Sequence, residues 1–245
     1  MIAARGLVKE FVVAVQPPSV KRLLLSFGQR ERRVVRALNG LDLEMAAGET
    51  VALIGRNGSG KSTFLGLVGR IYRPTAGKLE VRGRVSPLLE LGAGFHSDLT
   101  GRENVLLNGV ILGLSRAQVA ARFDQIVAFA GLEEKIDAPI RTYSSGQVMR
   151  LGFSVAVHTD AEILLVDEVL AVGDEAFQEQ CYARIREFQA QGRTIVFVSH
   201  DMRAVERVAQ RAIWLERGRV RADGPAAEVA RRYLEEAHAL APAPG

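Results

Sequence analysis

Apolar and polar positions along this chain change their period several times, and each change marks an element. Residues 1–16 carry Phe11, Val12, Val13 and Val15 as a strand that Pro17-Pro18 ends. Ser19 is placed to cap a short helix over 20–27, where Val20, Leu23, Leu24 and Phe27 share one face beside Lys21 and Arg22, and Gly28 is its stop. Strand patterns resume at 34–38 and 41–44, a turn follows at Ala46-Ala47-Gly48, and 50–54 reads as a fully buried strand. Helical spacing then appears over 62–71 in Phe64, Leu65, Leu67, Val68 and Ile71.

The middle third, roughly 100–157, reads as mostly helical. Apolar residues recur with the helical period over 102–114 and 116–130, with Thr100 and Ser115 as N-caps. The short apolar runs 163–166 and 194–198 suit central parallel strands. Residues 212–216 and 219–221 predict an antiparallel pair around Gly218, 226–237 a closing helix, and Ala-Pro-Ala-Pro-Gly a loose end. Strand–helix alternation at both ends, with a helical stretch between, predicts an α/β fold: a mixed sheet with flanking helices and an inserted helical subdomain.

Composition narrows the function. At 245 residues, with 48% hydrophobic and 24% charged, the chain can bury a proper core, which excludes a disordered or fibrous protein. No stretch reaches the roughly 18–20 uninterrupted apolar residues of a membrane span, and the N-terminus lacks a signal-peptide pattern. One cysteine, Cys181, excludes an intrachain disulfide framework and agrees with a reducing, cytoplasmic setting. A net charge of +4 is too small to argue for nucleic acid, so no nucleic-acid partner is expected. The charge is nonetheless uneven, with Lys21, Arg22, Arg30, Arg32, Arg33 and Arg36 set against Glu31.

The strongest chemical signal is Gly55-Arg56-Asn57-Gly58-Ser59-Gly60-Lys61-Ser62, followed by Thr63, which fits the phosphate-binding pattern G-x-x-x-x-G-K-[ST] in full. A buried strand precedes it and a helix follows. Glycines let successive backbone N–H groups wrap an anion, and the helix adds the positive end of its dipole. Lys61 would contact the β- and γ-phosphates of ATP, and Ser62 would ligate Mg²⁺. The acidic partner is Asp167-Glu168 at the end of the 163–166 strand: Asp167 suits Mg²⁺, and Glu168 suits polarisation of the attacking water.

Tyr143-Ser144-Ser145-Gly146-Gln147, with Arg150 beyond it, resembles the signature of ATP-binding-cassette (ABC) ATPases, commonly Leu-Ser-Gly-Gly-Gln. The resemblance implies that this second cradle caps the γ-phosphate held by the other subunit, with Ser144, Ser145, Gly146 and Gln147 at the nucleotide. It also places Leu170-Ala171-Val172-Gly173-Asp174 as the loop crossing the dimer interface, His200 as the switch histidine at the γ-phosphate, and Phe11 as the aromatic stacked on adenine, where a core phenylalanine is the rival reading. Lys61, Glu168 and His200 are thus the catalytic residues it implies. The family's metal-reaching glutamine is missing from 87–96, where Glu90 is the substitute candidate for the metal.

The phrases at 89–96, 99–104, 143–146 and 167–174 are similar to one subfamily, the ATPase subunits of exporters for lipid-linked polysaccharides such as O-antigen, capsule and teichoic acid. The implied fold is a P-loop NTPase core over 1–92 and 161–224 with an antiparallel β subdomain. A helical subdomain spans about 93–160, the closing helix 225–237, and the tail 238–245. The implied assembly is a homodimer on the cytoplasmic face of the inner or plasma membrane, engaging two copies of a separate integral-membrane permease through which the lipid-linked glycan passes. The alternative is a cassette serving another cargo, such as a drug, lipid or nutrient. A half unit of charge at a helix end facing one phosphate charge at about 4 Å is worth roughly 2 kcal/mol at an effective dielectric near 20, which favours a closed nucleotide-bound pair. Residues 17–33 are expected to form an amphipathic gate helix at the membrane interface, with Lys21 and Arg22 near phosphate groups. Charge reversal at Lys21 and Arg22 should then impair glycan export in cells while ATP hydrolysis by the purified protein is unchanged; export at the parent level would remove the gate reading.

Overall fold

The computed structural model describes residues 1–14, 32–88, 94–167 and 173–239. The amphipathic segment 17–33, apart from its last two residues, lies outside them, as do Glu90, Glu168, the start of the 170–174 loop and residues 240–245 of the expected 238–245 tail, whose first two residues instead continue the closing helix. The described residues form two sheets. Strands β1 (Ile2–Ala14), β2 (Arg32–Met45) and β4 (Ala76–Val81) form an antiparallel sheet in the order β2-β1-β4. The second sheet combines β3 (Thr50–Ile54), β5 (Val85–Leu88), β6 (Ile163–Asp167), β7 (Thr194–Val198), β8 (Arg211–Glu216) and β9 (Arg219–Pro225) in the order β5-β6-β7-β3-β8-β9. All of its pairings are parallel except β8 with β9.

Every residue of β3 and β7 is buried, which is why these strands carry unbroken rather than alternating sequences. The two strands expected at 34–38 and 41–44 are one strand, β2, which starts at Arg32. Gly40, at φ 71°, is absorbed in a bulge where the register passes from Leu7 opposite Leu41 to Val8 opposite Asn39.

Helix α1 (Lys61–Val68) ends before Ile71 because the Gly66 carbonyl accepts from both Ile71 N (2.8 Å) and Tyr72 N (3.1 Å), turning the chain through a left-handed Arg70. Helices α2 (Gly101–Ile111) and α3 (Arg116–Ala130) begin at Thr100 and Ser115, each with a capping box completed by Glu103 and Gln118. Gly131, at φ 62°, stops α3, and a turn and the 3-10 segment Ile140–Thr142 lead into α4 (Ser145–Val157), so 131–144 is the part of the mostly helical middle third that is not α-helical. Helices α5 (Glu175–Ala190) and α6 (Met202–Val208) are capped by Asp174 and Asp201, and α7 (Ala226–Ala239) closes the described chain. Among the described residues no helix is long and apolar enough to cross a membrane.

Three hydrophobic clusters hold these layers together. One packs Phe153, Phe177, Phe188, Phe197 and Trp214 beneath α4–α7. A second joins the small sheet and α1 to the other face of the large sheet through Leu7, Leu38, Met45, Leu53 and Phe64. The third unites α2, α3 and α4 through Val105, Val119, Ile126, Leu151 and Val155. The 99–104 phrase builds the entry to α2. A Cβ on Gly101 would stand 2.4 Å from Tyr143 Oη, Arg102 pairs with Asp137 at 2.7 Å, and Asn104 is fully buried. The Asn104 amide donates to the carbonyls of His96, Leu99 and Thr100, and its Oδ1 accepts from His96 N at 2.7 Å. Replacing it by leucine strands those groups in the interior, so Asn104→Leu should lower unfolding free energy in a urea titration by about 2–4 kcal/mol.

Candidate functional site

The register of the large sheet sets out the site. Leu53 of β3 lies opposite Val198 of β7, and Val198 lies opposite Asp167 of β6. Each strand therefore delivers its next residues to the same carboxyl edge: the Gly55–Ser62 loop from β3, Asp167 from β6, and Ser199-His200 from β7.

The loop adopts backbone that only glycine takes easily, with φ of 142° at Gly55, 78° at Gly58 and 109° at Gly60. Gly55 and Gly60 also lack room for a side chain. A Cβ would meet Leu215 O at 2.2 Å in the first case, and Leu38 Cδ2 at 2.7 Å and Ala37 O at 2.8 Å in the second. Behind the loop stands the β8–β9 turn, with Arg217 and Gly218 both left-handed. Gly218 N donates to Ser59 O at 2.9 Å, and Gly218 O accepts from Asn39 N at 2.9 Å, so this turn is wedged between the loop and β2.

Helix α1 starts at Gly60 with no side-chain cap and no acidic residue in its first turn. The buried Lys61 ammonium donates to Gly55 O at 2.6 Å and Arg56 O at 3.1 Å. Ser59 Oγ is buried with no hydrogen-bond partner, and a Cβ on Gly58 would meet nothing within 4 Å. A cavity of about 240 Å³ opens over this helix end, lined by Asn57, Gly58, Gly60, Lys61, Ser62, Thr63 and His200. An uncapped helix N-terminus, a lysine and a hydroxyl facing one cavity fit a phosphate chain. Gly55, Arg56 and Ser59 shape the loop without lining the cavity.

The other expected residues lie elsewhere. Phe11 is half-buried, belongs to none of the three clusters, and meets Tyr72 edge-on at 5.2 Å with Lys9 Nζ 4.8 Å from its ring centre. Ser144 Oγ accepts from Gln147 N at 3.2 Å, and Gln147 Oε1 accepts from Ser144 N at 3.0 Å, which fixes the first turn of α4. Gly146 is open, with only Ser144 Oγ near the site of a Cβ, at 3.9 Å. None of residues 143–147 lines the cavity of the same chain. Burial, with Asp137 nearby, raises the Tyr143 phenol above its usual range, and its hydroxyl donates to Lys135 O at 2.5 Å.

Asp174 caps α5 by accepting from Phe177 N at 2.9 Å, and its other oxygen lies 3.6 Å from Arg150 Nη1. Arg150 in turn lies over the Phe177 ring at 4.8 Å, joining the signature-like helix to Asp174 and α5. Sequence reasoning missed this link, Lys135 Nζ donating to Gln147 Oε1 at 3.2 Å, and the support of the loop by Gly218. Gly218 was visible as a turn residue, but nothing local to it signals contact with residue 59.

A glycine loop ending a buried parallel strand, a bare helix end and a flanking aspartate and histidine define a P-loop nucleotide-binding domain. The chain belongs to the ABC transporter family, whose profile matches residues 38–171. It is similar to the O-antigen export system ATP-binding protein RfbB of Myxococcus xanthus, 53% identical over 206 residues, covering 84% of this chain but 47% of the relative, so the chain spans about half of that protein's length. The protein of the same name from Klebsiella pneumoniae is 51% identical over 81% of both chains. The solved dimeric structure of MJ0796, a bacterial ABC transporter cassette, shares the fold with a TM-score of 0.74 at 22% identity, over 92% of this chain and 99% of that one.

Loop geometry has a measurable consequence in the nucleotide-free protein. Gly58→Ala should cost only the left-handed backbone, about 1 kcal/mol, whereas Gly60→Ala drives a methyl into Ala37 and Leu38 and should cost about 3 kcal/mol or more. Urea unfolding of the two variants compares these directly.

Proposed function

We propose that this chain is the ATP-binding and ATP-hydrolysing subunit of an exporter for lipid-linked polysaccharide, working as a homodimer beneath two copies of a separate membrane permease. The observation that carries the reading is the split of the site. Lys61, Ser62 and His200 face one cavity, while the signature-like turn at Ser144–Gln147 lies outside the cavity of its own chain. A second copy facing the first would supply that turn to the phosphates, so each pocket needs both chains. The similarity to O-antigen export proteins supports the cargo. The exposed apolar residues Leu106, Leu107, Val110 and Ile111 on α2 support a seat for the permease.

When bound, Mg²⁺·ATP supplies the phosphoanhydride to be cleaved and the cation that offsets its charge. The residues of this chain divide the remaining work. Lys61 exchanges its loop carbonyls for phosphate oxygens, and the amides at the start of α1 hold the same charge from the backbone side. Ser62 and Asp167 would hold the metal, with Glu90 as a further candidate. His200 would sense the γ-phosphate, and Glu168 would orient the attacking water and accept its proton. Phe11 would stack on the base, with its ring held by Tyr72. Asn57, Gly58 and Thr63 shape the phosphate cavity, and Asp174 sets the loop at the dimer interface. The core, β subdomain and helical subdomain boundaries given by the sequence, and a location on the cytoplasmic face of the membrane, go with this reading.

Glu168→Gln should bind ATP and dimerise on it, with hydrolysis reduced about 100-fold or more. Phosphate release and size-exclusion chromatography with ATP read the two properties separately, and full turnover by the variant would refute the role of Glu168.

A further inference from the structure

The far end of α4 carries an arrangement that nucleotide binding does not explain. The last carbonyls of a helix have no partners within it, and here three arginines far apart in the chain take the carbonyls of Val157, the last residue of α4, and of His158 and Thr159 just beyond it. Arg184 of α5 donates to Val157 O through Nε (3.3 Å) and Nη2 (2.9 Å). Arg122 of α3 donates to His158 O at 2.6 Å, and Arg193, just before β7, donates to Thr159 O at 3.2 Å. Three cations converge although they repel one another. Asp160 offsets part of this by accepting from Arg122 Nη2 with both oxygens at 2.9 Å, and Glu187 pairs with Arg184 at 2.6 Å. The guanidinium groups of Arg184 and Arg193 also lie 4.9 and 4.6 Å from the centre of the Phe188 ring. Burial, with Arg184 and Arg122 adjacent, keeps His158 less basic than usual, so it does not add a fourth charge.

We propose that Arg122, Arg184 and Arg193 form the pivot of α4 and are positioning residues that aim the Ser144–Gly146 turn at the nucleotide of a facing copy. The inference rests on the dimeric ATPase reading above. A single cation would suffice to cap a helix against its dipole. This cluster instead ties α4 to α3, with which it shares one hydrophobic cluster, and to α5 and β7 of the large sheet. The helix has 13 residues, a lever of about 20 Å. Tilting it by about 5° at the pivot shifts the turn at the other end by about 1.7 Å, and misplacement of about 1 Å can cost a hundredfold in rate. A cavity of about 380 Å³ lined in part by Arg193, Asp160 and Arg84 adjoins the cluster and leaves space for the Arg193 side chain to change position.

The test uses the full chain with Arg122→Gln, Arg184→Gln and the conservative Arg122→Lys. Nucleotide affinity is read by titration with fluorescent ATP, turnover by phosphate release, and pairing by ATP-dependent dimerisation in the Glu168→Gln background. The glutamine variants should keep nucleotide affinity within about two-fold, because the P-loop is untouched, while kcat and dimerisation fall about ten-fold or more. Arg122→Lys should recover part of that loss. Unchanged kcat and dimerisation overturn the proposal, as does a fall in nucleotide affinity parallel to kcat, which marks general loss of structure. If Arg122→Gln fails to fold, Arg193→Gln, at a partly exposed position, is judged by the same criteria. If the parent protein neither hydrolyses ATP nor pairs on it, the dimeric ATPase reading itself fails, a result distinct from any difference between variant and parent.

Discussion

Burial of the parallel strands on both faces is the constraint on which the rest depends. With β3 and β7 fully enclosed, every position after their opening threonines, Thr50 and Thr194, is apolar, so the chemistry of the site emerges at the carboxyl ends of the strands. Because neighbouring strands run parallel and in step, the residues that follow β3, β6 and β7 emerge together. The glycine loop, Asp167 and His200 stand at one edge of the sheet for that reason, although the loop is separated from the other two by more than a hundred positions of sequence.

That edge is then stiffened from behind. The β8–β9 turn hydrogen-bonds both the loop and β2, and Leu215 and Ala37 leave no volume for side chains at Gly55 and Gly60. The loop is therefore held open by tertiary packing. Lys61 is anchored on loop carbonyls, and Ser59 Oγ is buried with no partner. The backbone of such a site is shaped in advance for an anion.

Helix α4 links this edge to the remainder of the chain. Its N-terminus is pinned by the Ser144–Gln147 box and bordered by Lys135, its middle reaches Asp174 through Arg150, and the carbonyls of its last residue and of the two that follow are held by three arginines. Helical-region and large-sheet residues contribute to these contacts alike.

Much of the fold was legible in the sequence because the signals were local. The buried strands 50–54 and 194–198, the caps Thr100 and Ser115, the hairpin at Gly218 and the phosphate loop each declare themselves within a few residues through hydrophobic period, capping chemistry or glycine spacing. Other features depended on distant partners. The break read at Asn39-Gly40 became a bulge because β1 pairs across it, and α1 stopped early because Tyr72 folds back over Gly66. Helix α5 buries Phe177, Cys181, Ile185 and Phe188 under a polar sequence whose mean pattern hides them. The sequence by itself determined which residues could cradle phosphate, since that chemistry is carried by a contiguous loop. Only the tertiary structure decided which loop supports it and which arginines hold α4, because hydrogen bonds between groups far apart in the chain leave no local pattern.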